Sequence, residues 1–283
     1  MKTYLDCIPC FLRQALDAAR RTGADEKIQS DVMHRALELL QAADFRHPPP
    51  FLAARLHREI RRITGDPDPY RQEKELFNQH AIQLLPEFDS ILANAQDPFE
   101  TALRLSIAGN IIDFGASIEI DHEQVEQALT EALHAPLPKD AIENLRQSVK
   151  NAQRILVLGD NAGEIVLDRL LLSQLPKDKT VYAVRGSAVI NDATLEDAEF
   201  AEIAKFANVI TNGADAPGTA LDDCSEEFIR EFDAADLIIS KGQGNFETLN
   251  DRKDKHIVFL LRVKCPMVAR QIGAPIGTLV ITP

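Results

Sequence analysis

The chain has 283 residues, of which 45% are hydrophobic and 27% are charged, and its formal net charge is -13. This composition is typical of a soluble globular protein with one large or two modest domains. The acidic balance argues against a general nucleic-acid binder, which needs a basic face. No apolar run approaches the roughly 20 residues of a membrane span, and residues 1–10 lack the apolar core of a signal peptide. We therefore expect a cytoplasmic protein with no nucleic-acid or membrane partner.

The first half of the chain has the periodicity of amphipathic helices and almost no strand signal. Ser30 and Asp31 can cap one helix, and Gly23 and Gly65 can stop two others. Helices are expected around residues 15–23, 30–43, 50–65, 69–92, 98–115, 122–134 and 138–150. This pattern predicts a helical domain over residues 1–145.

The second half alternates short apolar strands with helical stretches. Strands are expected at residues 154–159, 180–186, 208–213, 236–242, 256–261 and 278–282. Continuous apolar strands separated by helices indicate a parallel sheet that is covered on both faces. The expected fold class is therefore α/β, with a doubly wound, mainly parallel sheet over residues 146–283 and a helical N-terminal domain.

Polar side chains follow several predicted strands at their carboxyl ends, where open α/β sheets bind ligands. Carboxylate and carboxamide oxygens suit hard cations such as Mg²⁺ and Mn²⁺, which can bridge phosphate oxygens and activate water. An arginine fork and a lysine point charge can bind the phosphate directly. The residues in question are Asp160, Asn161, Arg185, Asp192, Lys241 and Asn245. Their positions suggest a site for a metal ion and a phosphate.

Several of these residues also have a purely structural explanation. Asp160 can cap the helix that follows it, and Asn161 can be an ordinary turn residue. Asp192 can cap a helix expected at residues 193–206, and Lys241 alone can be a solvated side chain. Spacing alone leaves the two explanations in balance.

Five short motifs, taken together and in order, resemble the metal-dependent damage-control phosphatase family, which is also described as acidic-residue methyltransferase-like. The motifs are CIPCFLRQAL, AGNIIDFGAS, GDNAGEIVLDRLLL, VRGSAVINDAT and SKGQGNFETL, and the first two are similar to a prokaryotic branch with an N-terminal Cys-x-x-Cys. The resemblance implies hydrolysis of phosphate esters of small metabolites, including sugar phosphates and damaged metabolites. It implies Mn²⁺, Mg²⁺, Co²⁺ or Ni²⁺ bound by Asp160, Asn161 and Asp192. It also places Lys241 at the phosphate, with Asn245 completing the lysine's segment.

Asn110 and Asp113 lie three residues apart on a predicted apolar helix, and therefore on one face. They either bond to another helix or close over the metal site and contact the substrate, and the resemblance favours the second explanation. Glu164 either caps its turn or orients a water molecule at the site. Cys7 and Cys10 are a redox pair, half of a zinc site, or small packing groups, of which we favour the last.

The sequence therefore predicts a divalent-metal-dependent phosphatase whose partner is a small phosphorylated metabolite. The predicted catalytic residues are Asp113, Asp160 and Lys241, and the predicted substrate-binding residues are Asn110, Glu164, Arg185 and Asn245. Two other functions stay open. An S-adenosylmethionine-dependent methyltransferase also has a doubly wound sheet, but the turn DNAGE has a single glycine where that cofactor turn is glycine-rich. A non-enzymatic protein that binds a metal or a phosphometabolite is the second.

Overall fold

The structure is a computed structural model, and it describes residues 1–109, 127 and 130–282. The helices are α1 (Cys7–Arg21), α2 (Glu26–Gln41), α3 (Pro49–Thr64), α4 (Arg71–Ala93), α5 (Pro98–Ala108), α6 (Lys139–Asn151), α7 (Glu164–Leu172), α8 (Leu195–Phe200), α9 (Glu226–Ala234), α10 (Gln243–Leu249) and α11 (Pro266–Ile272). The strands are β1 (Ile155–Leu158), β2 (Thr180–Val184), β3 (Asn208–Thr211), β4 (Leu237–Lys241), β5 (Ile257–Arg262) and β6 (Leu279–Thr282). None of the described helices is long and apolar enough to cross a membrane.

The sheet has the strand order β3-β2-β1-β4-β5-β6. Strands β1 to β5 are parallel, and β6 runs antiparallel to β5. The predicted doubly wound, mainly parallel α/β fold is therefore confirmed. The chain builds outward from β1 in one direction and from β4 in the other, so the topological switch point lies between these two strands. Ligands in such sheets bind beyond the carboxyl ends of the strands at this point.

Both faces of the sheet are buried, which explains why the strands read as continuous apolar runs. Ile155 and Val157 of β1 belong to a cluster that includes side chains of α4, α5, α6 and α7. Leu156 and Leu158 point to the opposite face, where they join side chains of α9, α10 and α11. The carboxyl end of β1 is thus held between two layers of helices.

Helices α1, α2 and α3 have a core of their own, which we call the three-helix cluster. Its buried members include Phe11, Ala15, Val32, Leu52, Leu56 and Ile60. Helices α4, α5 and α6 instead share the core of the sheet. An amphipathic pattern shows that a helix buries one face but not which element covers that face, so the sequence did not predict this sharing. The division into two domains at residue 145 stays a prediction.

Several helices differ from their expected bounds, among them α1 and the helix expected at residues 193–206. Helix α1 begins at Cys7, earlier than expected, and includes Pro9 in its first turn, where a missing N–H leaves no helical bond unmade. The helix expected at residues 193–206 is divided: α8 ends at Phe200, and a 3₁₀ turn over Ile203–Lys205 follows.

Candidate active site

The loop after β1 and the loop after β2 are joined by backbone hydrogen bonds at the switch point. The Ala162 N–H donates to the Asn191 carbonyl at 2.9 Å, and the Ala193 N–H donates to the Asp160 carbonyl at 2.8 Å. An isolated antiparallel bridge pairs Asn161 with Asp192. The structure therefore brings the three predicted metal ligands together although they come from two loops.

Helix capping does not explain the two aspartates. The N-cap of α7 is Gly163, with no side-chain cap, so Asp160 does not cap that helix. The N-cap of α8 is Thr194, which forms a capping box with Asp197, so Asp192 does not cap α8. Both carboxylates are buried without serving the adjacent helix.

Arg185 lies between the two carboxylates and is itself buried. Its Nε donates to Asp192 Oδ2 at 2.6 Å, and its Nη2 lies 3.8 Å from Asp160 Oδ1. Burial and the negative charge of Asp192 raise the pKa of Asp160 to about 6, although Arg185 opposes this shift. Burial also raises the pKa of Asp192 against the same guanidinium. One arginine therefore compensates the negative charge of this pair only in part.

These residues fit a divalent cation. Two carboxylates and the carboxamide of Asn161 are hard oxygen donors, and a cation would offset the charge that raises the pKa of both aspartates. In the described ranges, no group of three or more His, Cys, Asp or Glu side chains is placed to hold a metal. A three-residue site here therefore depends on the Asn161 oxygen. Three protein ligands would leave positions for water and a phosphate oxygen.

Lys241 lies deeper and is fully buried among anionic groups. Its ammonium forms ion pairs with Glu164 Oε1 at 2.6 Å and with Asp168, and donates to the Ser106 carbonyl at 3.2 Å. Burial opposes the charged form of Lys241, but the two carboxylates outweigh it and raise the lysine's pKa. Two hydrogen bonds and one further ion pair therefore occupy the ammonium group. The predicted contact between Lys241 and a phosphate stays a prediction, and it requires one of these partners to be released.

Glu164 connects the lysine to the predicted metal ligands. It is the first residue of α7, and its Oε2 lies 3.4 Å from Asn161 Nδ2. Burial raises the pKa of Glu164 to about 7, although Lys241 opposes the shift. The carboxyl group can therefore gain or lose a proton near neutral pH beside Asp160.

Asn245 joins the carboxyl ends of β1 and β4. Its Nδ2 donates to the Lys241 carbonyl at 2.7 Å and to the Gly159 carbonyl at 3.1 Å. Its Oδ1 accepts from the Thr219 hydroxyl at 2.8 Å. The predicted contact between Asn245 and substrate stays a prediction, since the buried amide already makes these three hydrogen bonds.

The remaining predicted residues have different outcomes. Asn110 and Asp113 lie outside the described residues. Cys7 and Cys10 are free thiols, the first half-buried and the second exposed, and burial raises the pKa of both. Cys7 packs against the three-helix cluster, in keeping with the packing explanation.

The sequence analysis missed Asp168 and its partners. The Asp168 carboxylate accepts from the Ser106 hydroxyl at 2.7 Å and from the Tyr182 hydroxyl at 2.6 Å, in addition to Lys241. A signal was present: Asp168 lies four residues after Glu164 in an apolar helix, so the two carboxylates share one helix face. Asn78 had no local signal. Its side chain accepts from the Gly163 N–H at 2.7 Å and thereby ties α4 to the turn before α7.

Comparisons with known proteins agree in sequence and in fold. A family model described as "Damage-control phosphatase ARMT1-like domain" matches residues 3–280. An uncharacterized protein of Methanocaldococcus jannaschii is 38% identical, over 98% of this chain and 94% of that protein. Proteins named damage-control phosphatases from Archaeoglobus fulgidus and Pyrococcus horikoshii are each 36% identical over 99% of this chain, and over 98% and 97% of their own lengths. The crystal structure of a DUF89 family protein from Pyrococcus horikoshii has a TM-score of 0.91 at 33% identity, over 100% of this chain and 99% of that chain.

Proposed function

Because this chain belongs to the damage-control phosphatase ARMT1-like family, we propose that it is a divalent-metal-dependent phosphatase acting on phosphate esters of small metabolites. The family membership predicted from the five motifs is confirmed. The observation that supports metal dependence most directly is the pair of buried carboxylates, Asp160 and Asp192, that Arg185 compensates only in part. Mg²⁺, Mn²⁺, Co²⁺ and Ni²⁺ are the candidate ions, and sugar phosphates are one candidate substrate class.

In this proposal Asp160, Asn161 and Asp192 hold the ion. When bound, the cation polarises the phosphoryl oxygens and favours ionisation of the attacking water. Arg185 contributes a second positive group, because its buried Nη2 has no hydrogen-bond partner and can donate to a phosphate oxygen. The guanidinium is fixed through Nε by Asp192, so its orientation does not depend on the substrate.

Glu164 is the proposed proton acceptor. Water attacks phosphorus and passes its proton to the Glu164 carboxylate, the ester P–O bond breaks, and the leaving oxygen takes a proton from the Glu164 carboxyl and departs as the alcohol. The pKa of about 7 keeps an ionised fraction available at neutral pH. Lys241 acts through Glu164 as a positioning residue, because its ion pair fixes the carboxylate and opposes a further rise in the pKa of Glu164.

The test is phosphate release from a panel of sugar phosphates and aryl phosphates. The protein is stripped with a chelator and reloaded with each of the four metals. Asp160→Asn and Asp192→Asn are compared with the control variant Asp236→Asn. Asp236 lies just before β4, at the amino ends of the strands, and its carboxylate accepts from the Gln153 and Arg154 N–H groups at 2.9 Å.

We expect activity to return with metal, to fall by about 10²-fold or more in both site variants, and to persist in the Asp236 variant. No phosphate release with any metal, from protein that is folded by circular dichroism, would contradict the proposal. Equal activity in all three variants would contradict the assignment of the ligands.

A further inference from the structure

A cavity of about 350 Å³ lies where the first turns of α1 and α3 face the loop after β2 and the starts of α10 and α11. Much of its wall is apolar and includes Phe11, Pro50, Ala53, Ile190, Pro217 and Met267. Its polar groups are three thiols and four longer side chains: Cys7, Cys10, Cys265, Asp6, Gln14, Gln243 and Glu247. The volume falls at the small end of the range for ligand pockets, roughly 300–1,000 Å³.

This cavity adjoins the proposed metal site at two points. Gly244 lines the cavity two residues after Gly242, whose α-carbon lies against the Asp160 carboxylate. Ile190 lines it two residues before Asp192. The cavity therefore lies beside both proposed ligands, as a subsite for the ester group of a bound phosphate requires.

Ile190 has an unusual backbone conformation. Its backbone angle φ is 46°. In the part of the chain that the structure describes, Glu202 is the one other non-glycine residue with a positive φ. A β-branched side chain is disfavoured in this left-handed region, which asparagine and glycine adopt more readily. The half-buried isoleucine packs against the three-helix cluster and lines the cavity. Backbone strain of this kind clusters at active sites and ligand-binding segments.

We propose that this cavity binds the organic part of the phosphate ester, and that Ile190 selects for a largely apolar group over a polyhydroxylated sugar. This inference rests on the proposed phosphatase function. A sugar brings several hydroxyls that need hydrogen-bond partners when they leave water, and an apolar wall does not supply them. The polar side offers one matched pair, in which Gln243 Nε2 donates to Glu247 Oε1 at 2.9 Å, together with the side chains of Asp6 and Gln14. Gln14 Oε1 is buried without a hydrogen-bond partner and can accept from one hydroxyl of the ligand. The favoured substrate is a monophosphate ester of a small, mainly apolar alcohol with few hydrogen-bonding substituents.

The first test measures binding without catalysis. Phenylphosphonate has a P–C bond that a phosphatase does not hydrolyse, and Cys10 is an exposed thiol on the cavity wall. With Mg²⁺ present, we expect phenylphosphonate to slow the alkylation of Cys10 by N-ethylmaleimide several-fold, and inorganic phosphate at the same concentration to have little effect. Peptide mass spectrometry reads the modification. Equal alkylation rates with and without phenylphosphonate would overturn the proposal.

The second test measures selectivity through Ile190→Asn, because asparagine has a similar size and tolerates the left-handed backbone. The measured quantity is the ratio of kcat/KM for phenyl phosphate to kcat/KM for glycerol 2-phosphate. Comparing this ratio between proteins cancels the intrinsic reactivity of the two esters. We expect it to fall about 10-fold, mainly through the KM for phenyl phosphate. Glu202→Asn makes the same kind of change at the other positive-φ position and should keep the ratio.

An unchanged ratio in folded Ile190→Asn would overturn the role of Ile190. Ile190→Gly, which removes the side chain and tolerates the same φ, should lower the ratio as well. If the wild-type protein hydrolyses none of the esters, the proposed phosphatase function is contradicted. The cavity proposal is tested separately, because the alkylation experiment still decides whether the cavity accepts an apolar anion.

Discussion

Gly242 lets the backbone approach the Asp160 carboxylate closely, and this contact yields a sharp prediction. A methyl group on Gly242 would lie 2.6 Å from Asp160 Oδ1 and closer still to Oδ2, whereas Cβ atoms keep at least 3.0 Å from other heavy atoms. The carboxylate would have to retreat by about 1 Å, and a displacement of that size costs about 10²-fold in rate. We therefore expect Gly242→Ala to lower kcat/KM about 10²-fold.

Gly65→Ala is the matched control. Gly65 ends α3 in the left-handed region, with φ 76° and ψ 3°, and no atom lies within 4 Å of a Cβ added there. Gly242 has a similar φ of 77° but a ψ of 166°, a region that is essentially restricted to glycine. Gly65→Ala should lose about 1 kcal/mol of unfolding free energy, because alanine is strained at positive φ. Gly242→Ala should lose more, because its backbone region is less accessible to alanine and its Cβ meets Asp160. Urea unfolding and steady-state hydrolysis of the best substrate of the panel separate the two effects. Hydrolysis by Gly242→Ala at the rate of Gly65→Ala would refute the reasoning.

Three further changes test the electrostatics of the site and of the cavity beside it. Asp160→Asn removes one of two buried carboxylates that repel each other, so the chelator-treated protein should melt at a higher temperature while phosphate release is lost; a lower melting temperature would contradict this. Lys241→Met leaves two buried carboxylates without their cation and should cost about 3–5 kcal/mol in urea unfolding at pH 8. The cost should be less at pH 6, because burial raises the pKa of Glu164 to about 7 and its carboxyl then takes up a proton. An equal loss at both pH values would show that charge is not the cause. Burial raises the pKa of Glu247 from 4.5 to about 7, so its contribution to stability is complete below pH 4.5 and is lost as pH rises through 7. Glu247→Gln should therefore gain up to about 3 kcal/mol relative to wild type between pH 5 and pH 8, and a constant difference over that range would contradict the shift.

The sequence was sufficient to predict the sheet and the meeting of Asp160, Asn161 and Asp192. Apolar strands that alternate with helices indicate a parallel sheet, and the carboxyl ends of its strands lie at one edge. The antiparallel direction of β6 was not predicted, because a short apolar strand has the same pattern in either direction. Which helices join the core of the sheet was equally hidden, since amphipathicity does not identify the partner face.

The surroundings of Lys241 could not be predicted for a different reason. Its partners come from separate segments that are distant in sequence: Ser106 lies on α5, and Glu164 and Asp168 lie on α7. A lysine after a strand has the same local pattern whether it is solvated, bound to phosphate, or paired with buried acids. The positive φ of Ile190 was hidden as well, because isoleucine gives no signal for a left-handed backbone.

The pairing of β1 with β4 also bears on when the site forms during synthesis and folding. Leu158 pairs with Ala183 of β2, which follows soon after, and with Ser240 of β4, which is made much later. Long-range parallel pairing is slow, because the entropic cost of closing the loop comes before the stabilising contacts form. The β1–β2–β3 half can therefore assemble while Asp160 still lacks Lys241 and Gly242. A chain that is only partly made or folded would have its aspartates in place but not yet the lysine and glycine around them, so hydrolysis would begin only when the second half docks.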